Sequence, residues 1–162
     1  MTFEELYKTL VQQSVKGKEG PLPPHDDHQL DCLLHPEKYP PVIDTETCVS
    51  CQHENACQKS CIFDAIVRDA DGKLTIDPQK CTGCAACIAA CKEGKLAASR
   101  DILPAMKAVR QPGKLSYALV APAFLGQFSD SVTPGKLRSA FKALGFSGMV
   151  EVALLADILS LK

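Results

Sequence analysis

Eight of the nine cysteines lie in two short runs, and their spacing is the strongest chemical signal in the chain. The second run, from Cys81 to Cys91, reads C-x2-C-x2-C-x3-C. Thiolates at this spacing enclose a cubane iron–sulfur cluster: the first three lie on one loop, and the fourth is directed at a second cluster. This run therefore predicts a partner run elsewhere in the chain.

The partner run extends from Cys48 to Cys61 and reads C-x2-C-x5-C-x3-C. If the last cysteine of each run crosses to the other cluster, the chain holds two [4Fe–4S] clusters with interleaved ligands. The predicted ligands of cluster 1 are Cys48, Cys51, Cys57 and Cys91, and those of cluster 2 are Cys81, Cys84, Cys87 and Cys61.

Other uses of these cysteines fit the pattern less well. Structural zinc needs four ligands for each ion and leaves the third cysteine of each run without a purpose. A disulfide framework belongs to secreted proteins, and nothing in the chain indicates secretion. Small residues such as Gly83, Ala85 and Ala86 let backbone N–H groups approach cluster sulfurs closely, which favours iron–sulfur binding.

Composition limits the possible partners and location. The chain has 162 residues, 46% of them hydrophobic, so it is long enough to bury a core. A formal net charge of −1 gives no general attraction to nucleic acid or acidic lipid. The N-terminus carries Glu4 and Glu5 and no apolar stretch typical of a signal peptide, and no stretch has the length of a membrane span. We therefore expect a soluble cytoplasmic protein with reduced thiols, without nucleic-acid or membrane partners.

Residues 1–39 are predicted to form a helical N-terminal extension. Thr2 and Glu5 form a capping-box pattern, and apolar residues at helical spacing predict an amphipathic helix over residues 3–15. A second short helix, capped by Asp26 or Asp27, should turn its leucines inward. A zinc site on this helix is an alternative role for a small group of side chains. That group is His25, His28, Cys32 and His35.

Residues 40–99 are predicted to form a two-cluster domain of the α+β class. Short strands are expected at residues 41–44 and 95–99, and a hairpin at residues 65–77 separates the cysteine runs. The order strand, cysteine loop, helix, strand occurs twice, with Cys61 placed on the first of these helices. This internal repeat predicts pseudo-two-fold symmetry in which each half lends one ligand to the other.

Residues 100–162 are predicted to form a linker helix and a βαβ unit. The helix should cover residues 101–110, since Pro104 falls in its first turn. Strands at residues 116–121 and 148–152 flank a helix at residues 135–144. A strand that is apolar throughout needs cover on both faces, so this unit resembles the first piece of a larger α/β domain.

Two parts of the chain resemble known families. Residues 40–98 resemble bacterial dicluster ferredoxins, and together with the segment that follows them they resemble the N-terminal part of an [FeFe]-hydrogenase-like protein, whereas residues 1–39 carry no such resemblance. The second resemblance rests on an Ala-Pro-Ala strand end, a Gly-Lys-Leu helix start, a Leu-Gly-Phe helix end and an Ala-Asp pair. These motifs are Ala121-Pro-Ala123, Gly135-Lys-Leu137, Leu144-Gly-Phe146 and Ala156-Asp157.

The resemblance implies an electron-transfer module of anaerobic metabolism, with redox proteins or a following hydrogenase-like domain as partners. The chain departs from the family in its wider Cys51–Cys57 spacing and in Ile62 and Lys92, which replace the usual prolines. It also has no cysteine after Cys91 to hold the family's active-site cluster. Two alternatives stay open: the chain is the N-terminal fragment of a hydrogenase or redox sensor, or its clusters only stabilise a small fold.

Overall fold

The computed structural model describes residues 2–18 and 20–161, and it shows a mixed α+β protein. The α-helices are α1 (Phe3–Lys16), α2 (Asp27–Leu34), α3 (Ala56–Lys59), α4 (Ala86–Ala90), α5 (Ile102–Val109), α6 (Pro134–Leu144) and α7 (Val152–Ser160). The strands are β1 (Val42–Asp44), β2 (Ile66–Arg68), β3 (Leu74–Ile76), β4 (Leu96–Ala98), β5 (Tyr117–Val120) and β6 (Gly148–Glu151). The chain divides into two compact units, Met1–Pro104 and Ala105–Lys162.

Helix α1 begins and ends as its sequence predicts. The Thr2 hydroxyl accepts from the Glu5 backbone N–H, and the Glu5 carboxylate accepts from the Thr2 N–H at 2.8 Å. Gly17 ends the helix in the left-handed conformation, with a φ of 62°. The apolar stripe of α1 forms one core of the first unit with residues of α2, β1 and the start of α5. This core contains Phe3, Leu6, Leu10, Cys32, Leu33, Ile43 and Leu103.

Helix α2 is capped by Asp26, whose carboxylate accepts from the backbone N–H groups of the next turn. Leu33 is buried as predicted, but Leu34 is 43% exposed, so its predicted inward orientation is wrong. Cys32 takes an inward position, because it lies three residues after the buried Gln29 and beside Leu33, on the face that packs on α1 and β1.

Two antiparallel strand pairs frame the cysteine runs. β1 pairs with β4, with Val42 opposite Ala98, and β2 pairs with β3, with Arg68 opposite Leu74. Both pairs were predicted from the sequence. Successive residues of a strand point to opposite faces, so Ile43 enters the α1 core while Val42 enters a second core around the cysteines. Strand β1 thus joins the N-terminal helices to the cysteine region.

The two cysteine-bearing helices are short and carry the third cysteine of each run. Cys57 lies in α3 and Cys87 lies in α4, while Cys61 and Cys91 follow the helix ends. The prediction that Cys61 lies on the helix is therefore wrong. The helix ends at Lys59, and the exit turn places the fourth cysteine beyond it, with the Cys61 N–H donating to the Gln58 carbonyl.

The second unit contains a parallel βαβ arrangement, as predicted. β5 and β6 pair in parallel with Ala118 opposite Met149, and α6 connects them. Thr133 caps α6 and Gly145 ends it with a φ of 110°. Several apolar side chains on this unit are nevertheless exposed. Among them are Tyr117, Leu119, Leu154, Ile158, Leu159 and Leu161.

Within the described residues, no helix is long and apolar enough to cross a membrane. The boundaries at residues 39 and 99 remain predictions. The helices of residues 3–34 and the cysteine region lie in one compact unit.

The packing of α1 can be tested at Leu6, whose side chain is fully buried. Leu6→Ala leaves a cavity and should lower the free energy of unfolding by about 2–5 kcal/mol. Gln12→Ala, on the exposed side of the same helix, should change it by less than about 0.5 kcal/mol. Urea unfolding of the full chain, followed by circular dichroism, measures both values. Equal losses in the two variants would contradict the assigned packing face.

Candidate iron–sulfur centres

The structure places the eight predicted ligands around two separate cavities. The first cavity, cavity 1, has an empty volume of about 360 Å³. Its lining includes three cysteines of the first run and the last cysteine of the second run. These are Cys48, Cys51, Cys57 and Cys91. The crossing that the sequence predicts therefore brings these four side chains to one cavity.

The second cavity, cavity 2, is of similar size, about 320 Å³. Its lining contains the complementary set of cysteines. These are Cys81, Cys84, Cys87 and Cys61. Four thiols around each of two similar cavities match the Cys₄ donor set of a [4Fe–4S] cubane, so the residues present fit such a group at both places.

Left-handed backbone shapes both cysteine loops. Asn55 before α3 has a φ of 57°, and Ala85 before α4 has a φ of 63°. Gly83 has a φ of +71°, and a Cβ there would lie 3.1 Å from the Pro41 side chain. Such turns let a short loop wrap around a compact group, and glycine is favoured at residue 83 because its positive φ and the nearby Pro41 would strain a larger residue.

Burial differs among the thiols and affects their ionisation. Desolvation raises the pKa of Cys57 and of Cys87, the third cysteine of each run. In the metal-free protein these thiols hold their protons more firmly than exposed cysteines do. Binding of iron must displace the protons, so loading should release them to solvent.

The charged surroundings of the two cavities are different. Lys92, Glu93 and Lys95 line cavity 1, whereas the described lining of cavity 2 contains no charged side chain. Lys95 pairs with Glu93 at 3.3 Å, which raises the pKa of Lys95 and offsets part of its charge. Lys59, which lies between Cys57 and Cys61 in the sequence, pairs with Glu54 at 2.8 Å.

Arg68 is a site residue that the sequence analysis missed. It ends β2, and its guanidinium Nη2 lies 3.5 Å from the Cys48 Sγ. Hydrogen bonding to Cys48 raises the pKa of Arg68. Its position seven residues after Cys61, at the end of a hairpin strand, is the one signal that could have drawn attention to it.

The side chains of the alternative metal site on α2 do not come together as a set of ligands. Across residues 2–18 and 20–161, no three His, Cys, Asp or Glu side chains are arranged to hold a single metal ion. His25 contacts the Pro23 carbonyl and His35 contacts Glu37, while His28 lies between Cys32 and Asp44. Burial raises the pKa of Cys32 to about 11, so this thiol stays protonated at neutral pH.

Comparisons with protein families agree with both parts of the sequence resemblance. Residues 73–96 match the family model for a 4Fe-4S binding domain. Residues 114–162 match the model for the iron-only hydrogenase large subunit, C-terminal domain. The chain is thus similar to iron–sulfur proteins in its cysteine region and to iron-only hydrogenases in its second unit, which confirms the resemblance.

Two curated proteins are similar to parts of the chain. One is a component of the Na(+)-translocating ferredoxin:NAD(+) oxidoreductase complex of Acetobacterium woodii. It is 46% identical over 41 residues, which cover 25% of this chain and 12% of that protein. The NADP-reducing hydrogenase subunit HndD of Solidesulfovibrio fructosivorans is 28% identical over 103 residues, covering 59% of this chain and 17% of that protein. The chain therefore matches only a small part of each relative.

Crossed ligation can be tested with Cys91→Ser. Because Cys91 lines cavity 1, this variant should show the same cluster loss as Cys51→Ser, in the other run, and differ from Cys84→Ser in its own run. Electron paramagnetic resonance of the reduced, reconstituted protein identifies the lost signal. Cys32→Ala is the matched control and should retain both signals. If Cys91→Ser instead behaves like Cys84→Ser, the ligands are not crossed.

Proposed function

We propose that this chain is an electron-transfer module that relays single electrons through two [4Fe–4S] clusters. The observation that carries the proposal is the partition of eight cysteines between two cavities, with one ligand of each set supplied by the opposite run. The match to a 4Fe-4S binding domain over residues 73–96 supports the type of cluster. Iron–sulfur electron transfer also agrees with the names of the two relatives.

The protein's own groups define what each centre can do. Four thiolates per cubane bind the group and leave it without an open position, which suits electron transfer more than substrate binding. Hydrogen bonds to sulfur, burial and nearby charge then set the potential. Cavity 1 has charged residues in its lining and cavity 2 has apolar ones, so the two centres should be electronically unequal.

The proposed architecture follows the internal repeat. Residues 40–99 would form a ferredoxin-like dicluster domain with pseudo-two-fold symmetry, residues 1–39 a helical extension, and residues 100–162 a linker and the start of a hydrogenase-like domain. Redox proteins or such a domain are the proposed partners. A reducing cytoplasm is the proposed location, because free thiols must be available for loading.

A second candidate function is a role inside a hydrogenase-like enzyme. The match of residues 114–162 to the iron-only hydrogenase large subunit, C-terminal domain, favours it. In that case the two clusters would carry electrons to or from an active site outside the present sequence. Both candidates share the relay and differ in where its electrons go.

The relay predicts a defined metal content and reversible redox behaviour. Anaerobically reconstituted protein should contain about eight iron and about eight acid-labile sulfide per chain, four of each per cubane. Protein-film voltammetry should show two distinct one-electron waves. A stoichiometric zinc content or about four iron per chain would contradict the two-cluster proposal. Loaded clusters that do not cycle would indicate a purely structural role.

We also expect the loaded chain by itself to show no hydrogenase activity. Its eight grouped cysteines are all assigned to clusters without an open position, and no cysteine follows Cys91. Hydrogen evolution from reduced methyl viologen should therefore not exceed that of a control containing the same iron and sulfide without protein. A higher rate that requires the folded chain would contradict the relay as the function of this sequence.

A further inference from the structure

The guanidinium of Arg68 connects three separate parts of the cavity 1 region. Nε donates to the Asn55 side-chain oxygen at 2.9 Å, and Nη1 donates to the Cys48 carbonyl at 3.0 Å. Nη1 also donates to the Gly72 carbonyl in the hairpin turn. The remaining nitrogen, Nη2, approaches the Cys48 Sγ at 3.5 Å. Only a planar side chain with several N–H donors can make these contacts at the same time, and arginine has such a side chain.

The other half of the repeat has no equivalent of Arg68. Ile66 and Leu96 each lie five residues after the last cysteine of a run, and each begins a strand of the cysteine region. Counting forward from them, Arg68 corresponds to Ala98, whose methyl side chain carries no donor or charge. The contact at Cys48 is therefore one of the features that distinguish cavity 1 from cavity 2.

The Arg68 contacts also explain how the widened first run is held. The insertion between Cys51 and Cys57 contains Glu54 and Asn55, both with positive φ, and Asn55 precedes α3. The Asn55 side chain is fixed by Arg68 Nε. Arg68 therefore anchors the longer loop and also places a positive charge beside Cys48, the first sulfur of the same run.

We propose that Arg68 is a positioning residue that raises the reduction potential of the cluster in cavity 1 relative to the one in cavity 2. Reduction adds one negative charge to a cluster, and an electrode or chemical reductant supplies the electron. A positively charged group that donates a hydrogen bond to a ligand sulfur stabilises that added negative charge. Arg68 is half-buried, so solvent screens this interaction less than it screens an exposed charge. The inference rests on the proposed two-cluster function.

The test is voltammetry of the full, reconstituted chain with Arg68→Gln. This change removes the charge and the guanidinium hydrogen bonds while leaving a polar side chain. At a fixed electrode potential near the midpoint, the ratio of reduced to oxidised cluster 1 should fall roughly tenfold, about 59 mV for a one-electron couple. The wave that disappears in Cys51→Ser identifies cluster 1. The ratio of reduced to oxidised cluster 2, measured near the midpoint of its own wave, should change by less than twofold.

Lys73→Gln is the matched control. Lys73 is an exposed cation in the turn of the same hairpin, next to Leu74, and its replacement removes one positive charge from that hairpin. In this variant the ratio of reduced to oxidised cluster should differ from the wild-type ratio by less than twofold for both clusters. If Lys73→Gln shifts cluster 1 as much as Arg68→Gln does, net charge and not the Cys48 contact sets the potential, and the inference is wrong.

The remaining outcomes separate this inference from the proposed function. Two reversible waves in the wild type, with neither moved by Arg68→Gln, would overturn the role of Arg68 and leave the relay standing. Wild-type protein without two reversible waves would overturn the relay and this inference with it. If Arg68→Gln does not retain cluster 1, Arg68→Lys decides. Lysine keeps the positive charge but cannot make the several hydrogen bonds of the guanidinium, so the ratio of reduced to oxidised cluster 1 should fall about threefold. An unchanged ratio would overturn the inference.

Discussion

The arrangement of the cysteine region depends on the exchange of one cysteine between its two halves. Cys61 reaches cavity 2 from the first run, and Cys91 reaches cavity 1 from the second. Neither cavity is lined by four thiols without the cysteine that the opposite run supplies. The antiparallel pairs β1–β4 and β2–β3 hold the halves in the register that this exchange requires. Folding and cluster loading are therefore expected to be coupled, as in other small metal-binding domains.

Strand β1 connects this region to the N-terminal helices. Its alternation sends Ile43 toward α1 and α2 and Val42 toward the cysteine core. The Arg100 guanidinium stacks 4.2 Å above the Tyr7 ring and pairs with Glu4, which ties α1 to the segment after β4. The apolar stripe of α1 is thus covered within its own unit. The N-terminal extension stabilises the strand that precedes the first cysteine run.

The two halves of the repeat share their topology but differ in the groups around their cavities. Cavity 1 combines a longer loop, the Lys95–Glu93 pair and the Arg68 donor at Cys48. Cavity 2 is enclosed by small and apolar residues from α4 and the hairpin. The predicted ligand set is the same for both proposed clusters, so a difference between their potentials would come from hydrogen bonds, charge and solvent access.

The sequence by itself determined the elements and the grouping of the cysteines. Periodicity, capping residues and turn residues are local signals, and they located α1, α2, the hairpin and the βαβ unit correctly. Cysteine spacing is also local. The two sets of four cysteines that it predicts as cluster ligands each line one cavity, and their role as ligands stays a prediction. Tertiary structure alone decided that Leu34 is exposed, and that Arg68 meets the Cys48 sulfur. Those outcomes depend on contacts between residues distant in the chain, such as Arg68 with Asn55 and Cys48, which no local pattern specifies.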